Sequence, residues 1–302
     1  MPGSASLLLT FDLEDWQQLA RRRIGAPNWD SPTPELARQV EGILVLLQEL
    51  GVRATFFVLG LTAHRYPALV REVAAAGHEI ASHGFNHLPL HRLGPKAVRE
   101  DLVRSRELLA ELAGTPPLGF RAPAFSLNRG AAWTFDLLAE LGFRYDSSLH
   151  DSPRVAGRLP HPHHAHRRGP GQGIWELPIA VRPLGRTALP VGGGAYWRLL
   201  PSRTILHGLK AAAGRGCCIY LHPYELDPRP LRLHLPQNAS LSLRAKAALR
   251  QLQRNPGKGR IQALLRRVGH TFELINCQEA IERLQPNQPT GPAPLQRPRP
   301  QL

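Results

Sequence analysis

The chain has 302 residues, and its 38 Lys and Arg against 23 Asp and Glu give a formal net charge of +15. Apolar residues make up 42% and charged residues 20% of the chain, which is typical of globular proteins and argues against a mainly disordered chain. No apolar run reaches the ~18 residues of a membrane-spanning helix. The basic charge suits nucleic acid, an anionic membrane surface or an anionic polymer, but no nucleic-acid-binding motif supports the first.

Two features bear on the compartment. The three cysteines, Cys217, Cys218 and Cys277, have no CxxC spacing, so they predict neither a disulfide framework nor a thiolate metal site. The first apolar stretch, residues 7–11, ends in acids and does not resemble a secretory signal. We therefore expect a cytoplasmic protein, with peripheral attachment to the inner face of the membrane left open. The sequence does not predict the oligomeric state.

Apolar periodicity predicts strands that alternate with helices along the chain. Strands are expected over 7–11, 54–59, 78–82, 118–121, 143–146, 174–181 and 216–221, and helices over 34–50, 67–76, 95–113, 130–141, 242–253, 261–268 and 278–284. A glycine follows each of the first four helices, as expected of a C-terminal stop. The alternation predicts an α/β protein with a parallel sheet or barrel, in which functional residues collect at the C-terminal ends of the strands.

Three segments depart from this regular pattern. Residues 158–173 are rich in His, Arg, Pro and Gly, and the histidines between 161 and 166 predict an exposed loop rather than a catalytic centre. Residues 192–194 are all glycine, which indicates a tight turn or a close approach of the backbone. The Pro- and Gln-rich residues 286–302 predict a disordered tail.

The candidate chemical groups lie at two strand ends. His83 and His87 are four residues apart and could bind one metal ion, although this spacing also arises by chance in a chain with 14 histidines. Asp12, Glu14 and Asp15 follow the first strand, where acids are costly to bury without a cation or a donor. Together these groups predict a mixed nitrogen and oxygen site for zinc or a similar divalent ion.

The order of four motifs resembles that of the NodB-like polysaccharide deacetylases of carbohydrate esterase family 4. The motifs are Thr10-Phe11-Asp12, His83-x3-His87, Arg121-Ala122-Pro123 and the late Leu221-His222. Residues 176–178, 192–194, 196–201 and 222–228 resemble a narrower branch, the deacetylases associated with exopolysaccharide and exosortase loci. The resemblance implies a distorted (β/α) barrel over residues 1–285, with a branch-specific half at about 175–284.

The resemblance also implies a reaction, the metal-dependent hydrolysis of N-acetyl groups on a polysaccharide with release of acetate. His83, His87 and an acid would hold the divalent ion, with Zn²⁺ expected first. Asp12 would be the general base, and Arg121 would orient it and keep it ionised. His222 would be the general acid that protonates the leaving nitrogen. The partner would be a polysaccharide or oligosaccharide rather than a nucleic acid.

Two departures from the family pattern leave alternatives open. The family has two adjacent aspartates, whereas Leu13 follows Asp12 here, so either Glu14 or Asp15 could be the acidic metal ligand. Strand alternation favours Glu14, and a turn directly after Asp12 favours Asp15. The acid that supports the general-acid histidine is also displaced, and Asp146 is the nearest candidate.

Two other functions remain possible readings of the same sequence. The irregular residues 12–15 also fit a catalytically inactive sugar-binding or assembly protein on the same scaffold. A related amidohydrolase that acts on a small cyclic or formyl amide is the third hypothesis, although the exopolysaccharide-type second half argues against it.

Overall fold

A computed structural model describes residues 5–150, 159–169, 173–185 and 187–284 of the chain. The tail expected over 286–302 lies outside the described residues. Within the described part, no helix is both long enough and apolar enough to cross a bilayer.

The strands follow the chain from its first apolar run to its last helix. They are β1 (Ser6–Leu13), β2 (Thr55–Val58), β3 (Glu79–Ser82), β4 (Gly119–Phe120), β5 (Tyr145–Asp146), β6 (His166–Arg168), β7 (Ile174–Glu176), β8 (Arg182–Leu184), β9 (Thr187–Leu189), β10 (Cys218–Leu221) and β11 (Glu273–Ile275). β8 and β9 form a separate hairpin.

The helices alternate with these strands and add a group near the C-terminal end. They are α1 (Trp16–Ile24), α2 (Glu35–Leu50), α3 (Gly60–Arg65), α4 (Pro67–Ala75), α5 (Pro95–Ala113), α6 (Thr134–Glu140), α7 (Gly194–Leu199), α8 (Ser202–Ala212), α9 (Pro223–Leu226), α10 (Leu241–Arg254), α11 (Ile261–Thr271) and α12 (Cys277–Leu284). The fifth helix has the predicted bounds, residues 95–113.

The other strands form one curled sheet in the order β10-β1-β2-β3-β4-β5-β7-β6, and β11 pairs with the first half of β1. Neighbours from β10 to β7 are parallel, and only the last pair of this path, β7 with β6, is antiparallel. Parallel bridges from Ile179 to Cys218 and from Gly193 to Tyr220 connect the chain beyond β7 back to β10. The α/β barrel expected from the sequence is therefore confirmed in its distorted form.

The side chains of β1 alternate between two surroundings, and this alternation positions the site. One set, Leu7, Leu9, Phe11 and Leu13, packs in the core shared with α2, α4, α8 and α11. Leu8 instead belongs to the cluster inside the barrel, with Phe57 and Tyr145. Because alternate residues of a strand share a face, Asp12 follows Leu8 on the interior side. The acids at the C-terminal end of β1 therefore lie at the end of the barrel interior where the parallel strands finish.

Several elements differ from the prediction because apolar periodicity does not report them. Helix α1 was not predicted because its inner face is polar: Gln17 and Arg21 are buried and hydrogen-bonded to backbone oxygens of Arg232 and Gln17, respectively. The helix expected over 130–141 begins at Thr134, after a 3₁₀ turn, and the strand expected over 174–181 ends at Glu176. The helices α3, α7 and α8 were also missed.

A glycine on β4 tests the packing inside the barrel. A Cβ on Gly119 would lie 1.9 Å from the Tyr145 ring, whose hydroxyl donates to Glu79 at 2.7 Å. We expect Gly119→Ala to lower the free energy of unfolding by about 1–3 kcal/mol, because the ring has to move. The same change at exposed Gly42 in α2, where nothing lies within 4 Å, should raise it by about 0.5–1 kcal/mol. Chemical denaturation followed by circular dichroism measures both, and equal midpoints would contradict this packing.

Candidate metal and catalytic site

Asp12 and Arg121 form a buried ion pair at the C-terminal edge of the sheet. Arg121 Nη1 donates to Asp12 Oδ1 at 2.6 Å, and the two side chains are 0% and 4% exposed, in the order Arg121 and Asp12. The guanidinium also donates to Thr10 Oγ1 at 2.9 Å and to the backbone oxygen and Oγ of Ser147 at 3.0 and 2.8 Å. Its Cζ lies 4.0 Å from the centre of the Phe57 ring. These contacts fix the orientation of Asp12.

Glu14, His83 and His87 bring potential metal ligands together beside this pair. One ligand atom from each lies within 4.8 Å of the other two. Glu14 Oε2 is 3.0 Å from His87 Nε2 and 3.7 Å from His83 Nε2. Among the described residues, this is the one group of three or more His, Cys, Asp or Glu side chains that meets the distance expected of a shared ion. The histidines between 161 and 166 are not part of it.

Backbone contacts set the direction of both imidazoles. His83 Nδ1 lies 2.8 Å from the backbone oxygen of Arg121, which can only accept, so Nδ1 carries the proton and Nε2 keeps a free lone pair. His87 has a left-handed backbone with φ of 53°, in a loop held by Asp101. That carboxylate accepts from the backbone N–H groups of Phe85 and Asn86 at 2.6 and 3.1 Å. The sequence analysis did not identify Asp101.

The protonation states of this group fit a divalent cation. Glu14 Oε2 is buried without a well-directed hydrogen bond from any described residue, a costly arrangement unless a cation compensates it. Burial alone would raise the pKa of Glu14, but its electrostatic interactions with His87, His222 and His83 outweigh burial and lower the pKa to about 2. Burial lowers the pKa of His83, which favours the neutral imidazole that metals bind.

Asp15 lies outside the metal group because it begins a helix. Its Oδ1 accepts from the backbone N–H of Gln17 at 2.8 Å, which makes it the N-cap of α1. Its Oδ2 accepts from the Tyr66 hydroxyl at 3.0 Å. Strand β1 continues to Leu13, so alternation turns Glu14 rather than Asp15 toward the histidines.

His222 stands on the opposite side of Glu14 from the histidine pair, at the end of β10. Its Nε2 is 3.4 Å from Glu14 Oε1 and 4.0 Å from Asp12 Oδ2. Its Nδ1 is 3.0 Å from Glu225 Oε2. Burial would lower the pKa of His222, but Glu225, Glu14 and Asp12 raise it to about 9. At neutral pH the imidazole is therefore protonated and can donate a proton.

The acid that contacts His222 is Glu225, not Asp146 as expected from the sequence. Glu225 lies one helical turn further on, in the short helix α9, and also accepts from the backbone N–H of His222 at 3.0 Å. Its other oxygen is 3.7 Å from Nε of buried Arg198. A Cβ on Gly194 would lie 2.1 Å from the Glu225 carboxylate, so the glycine run provides the expected close approach.

Asp146 instead organises the segment that holds Arg121. Its carboxylate accepts from the backbone N–H and hydroxyl of Ser148 at 2.9 and 2.6 Å, and Ser148 in turn accepts from the backbone N–H of Ala122 at 2.8 Å. Asp146 is paired across the sheet with Glu176. Burial raises the pKa of both carboxyls, most strongly that of Glu176, which disfavours ionisation of the two together.

Comparison with known proteins gives two family matches, one in each half of the chain. Residues 4–145 match the polysaccharide deacetylase family, and residues 147–281 match a domain of unknown function, DUF3473. The first half of the chain is a polysaccharide deacetylase domain of the NodB, carbohydrate esterase family 4, type. The crystal structure of a candidate polysaccharide deacetylase from Mycobacterium smegmatis is similar over 99% of this chain and 96% of its own, with a TM-score of 0.61 and 26% identity.

Two curated relatives are similar to the deacetylase half. A chitooligosaccharide deacetylase of a Bradyrhizobium species is 33% identical over 45% of this chain and 51% of its own length. A peptidoglycan-N-acetylglucosamine deacetylase of Bacillus cereus is 32% identical over 41% of this chain and 56% of its own length. The chain thus matches about half the length of these two relatives.

Metal analysis tests the assignment of the ligands. We expect about one divalent ion per chain in the parent and in Asp15→Asn, and almost none in Glu14→Ala, because only Glu14 faces both imidazoles. Asparagine is as good an N-cap as aspartate, so Asp15→Asn should keep α1 intact. Elemental analysis of tag-free protein measures the content, with His164→Ala as a control for the exposed loop. Equal metal in Glu14→Ala and the parent would place the ion elsewhere.

Proposed function

We propose that this protein is a metal-dependent hydrolase that removes N-acetyl groups from the amino sugars of a polysaccharide and releases acetate. The observation that carries the proposal is the arrangement of Asp12 and His222 around Glu14. A carboxylate fixed by Arg121 and a protonated imidazole lie 4.0 Å apart, next to the imidazole nitrogens of His83 and His87. Amide hydrolysis needs a base that activates water, an acid that protonates the leaving nitrogen, and a Lewis acid that polarises the carbonyl.

Glu14, His83 and His87 would hold one divalent ion, and zinc suits two imidazoles and a carboxylate. Such an ion, when bound, polarises the amide carbonyl and makes water more acidic. The geometry of the acids favours Glu14 as the ligand over Asp15, which is committed to the start of α1.

Asp12 is the general base in this proposal. Arg121 occupies Oδ1, so Oδ2, the oxygen nearer His222, remains to take a proton from the attacking water. Because the guanidinium is itself held by Thr10 and Ser147, the carboxylate does not have to reorganise during the reaction.

His222 is the general acid. An amide nitrogen leaves only as an amine, because the amide anion is too basic to depart, so a proton must reach it as the C–N bond breaks. Glu225 accepts from Nδ1 and thereby directs the other N–H, on Nε2, toward Asp12 and Glu14. We assign Glu225 and Arg198 as the residues that position this imidazole.

We infer an exopolysaccharide as the substrate. The residues that hold the general acid fall in the segments that resemble the exopolysaccharide branch: Gly194, Arg198, His222 and Glu225. A cavity of about 210 Å³ lies next to Asp15, and its wall contains Trp16, Arg38 and His234. The Trp16 ring is tilted against Tyr224, with 6.1 Å between the ring centres, and Tyr224 in turn lies against His222. A wall that combines polar side chains with an aromatic ring suits a sugar.

Replacing the base tests catalysis directly. We expect Asp12→Asn to lower the rate of acetate release from N-acetylated oligosaccharides by about 10²–10⁴-fold, since the amide cannot take the proton. Metal content and saccharide affinity should stay near the parent values, because Asp12 is not among the proposed ligands. Acetate release, elemental analysis and calorimetry provide the three measurements.

Three outcomes of this experiment decide between the hypotheses. Loss of acetate release with retained binding supports the deacetylase. A parent protein that binds saccharides but releases acetate from no member of a panel that includes chitooligosaccharides and peptidoglycan fragments would favour the inactive binding protein. Turnover of small cyclic amides without turnover of sugars would favour the small-molecule amidohydrolase.

A pair of variants tests which acid supports His222. Glu225→Gln should reduce kcat by about 10–100-fold, because the imidazolium loses its anionic partner. Asp146→Asn should cost less, since Asp146 contacts Ser148 rather than His222 and an amide has nearly the same shape as a carboxyl group. Steady-state kinetics on the same oligosaccharide measures both. A larger loss of kcat in Asp146→Asn than in Glu225→Gln would show that Asp146, rather than Glu225, supports His222.

A further inference from the structure

Helix α10 carries an apolar stripe that faces solvent. The stripe consists of Leu241, Ala245, Ala248, Leu249 and Leu252, all exposed and within one side of the helix at 3.6 residues per turn. Its three leucines are 85%, 54% and 70% exposed in chain order, and they are three of the seven large apolar side chains that the described residues expose. We call these five residues the leucine stripe.

The other side of α10 already has a partner. Ala247 is buried, and with Leu243 it packs against Ile24 and Ala26 at the end of α1. The helix is therefore anchored by one face, and the leucine stripe is not needed to hold it on the protein. Exposed apolar side chains grouped in this way indicate a binding surface rather than the scattered exposure of ordinary surfaces.

The charge around the stripe has one sign. Residues 228–272 contain ten Lys and Arg and no Asp or Glu. Four of the ten lie on α10 itself: Arg244 and Lys246 are exposed beside the stripe, whereas Arg250 and Arg254 are half-buried on the anchored side, with Arg254 over the Tyr224 ring. Burial and the nearby charges of Arg23 and Arg254 lower the pKa of Arg250, which shows how closely the cations of α1 and α10 are grouped.

The exposed leucines and the cations beside them together indicate which kind of partner would cover this surface. A nucleic acid or a polyanionic sugar would neutralise the cations but would leave the leucines in water. A second copy of the same face would cover the leucines but would bring the cations of two α10 helices together. An anionic bilayer satisfies both, because acyl chains receive the leucines and head-group phosphates pair with the lysine and arginines.

We propose that the leucine stripe and the cations beside it dock this protein on an anionic membrane surface, with α10 lying in the plane of the head groups. The docking does not depend on the proposed deacetylation, and it would hold for an inactive protein as well.

Vesicle sedimentation tests the surface. Full-length parent protein should bind vesicles of phosphatidylcholine with about one third phosphatidylglycerol, and bind pure phosphatidylcholine at least about tenfold more weakly. The combined change Leu241→Gln, Leu249→Gln and Leu252→Gln should reduce binding to the anionic vesicles by at least about tenfold. Because all three side chains are exposed, this variant should keep the parent melting temperature.

Matched control variants test whether the position of the changed side chains matters, rather than their number or charge alone. Val45→Gln, Leu184→Gln and Leu284→Gln remove the same number of exposed apolar side chains elsewhere and should leave binding within about twofold of the parent. Lys246→Glu should weaken binding severalfold, whereas Lys96→Glu, the same charge change at the start of α5, should do so less.

Three results would overturn the proposal. Equal binding of the stripe variant and the parent would leave only a nonspecific charge effect. Equal binding to anionic and zwitterionic vesicles would remove the role of the cations. A concentration-dependent dimer, seen by sedimentation velocity and abolished by the stripe variant without any vesicle binding by the parent, would identify a second copy as the occupant.

Discussion

Arg121 carries a permanent positive charge in the interior of the barrel, and much of the site is arranged to compensate it. Its side chain is fully buried, and its partners come from three strands or strand ends: Asp12 and Thr10 on β1, Ser147 after β5, and the ring of Phe57 on β2. A buried ion of this kind is tolerated only when its counter-charge and its hydrogen-bond acceptors are all in place. The same contacts fix the carboxylate oxygens of Asp12, so the stability of the barrel end and the orientation of the proposed base have one origin.

The two halves of the chain meet within one sheet. The family boundary near residue 146 falls between β5 and β7, which pair with each other, and β10 and β11 from the second half both pair with β1. The first half supplies Asp12, Arg121 and the potential metal ligands, and the second half supplies His222 with Glu225. The region of unknown function therefore contributes the proposed general acid and the carboxylate that contacts it.

The sequence predicted what depends on local periodicity and missed what depends on tertiary contacts. The alternation of β1 correctly favoured Glu14 for the interior face, since side-chain direction in a strand follows from its period alone. The choice of Asp146 to support His222 is not met by the structure, because that carboxylate binds Ser148 and faces Glu176 instead. Glu225 was visible three residues after His222, but only the turn of α9 reveals that it folds back onto the imidazole. Helix α1 was missed for a related reason, because a buried polar face has no apolar period to detect.

The charges of the site also bear on the reaction it is proposed to perform. Asp12, Glu14 and Glu225 are balanced by Arg121, Arg198 and the protonated His222, so these six groups are neutral as a set at neutral pH. A divalent cation held by Glu14 and the two histidines would therefore leave the site with a net positive charge. Addition of water to an amide develops negative charge on the carbonyl oxygen, and a buried positive field stabilises that charge more than it stabilises the neutral substrate. In the proposed reaction the two arginines would assist without touching the substrate: by neutralising Asp12 and Glu225, they would leave the charge of the ion uncompensated where the oxyanion forms.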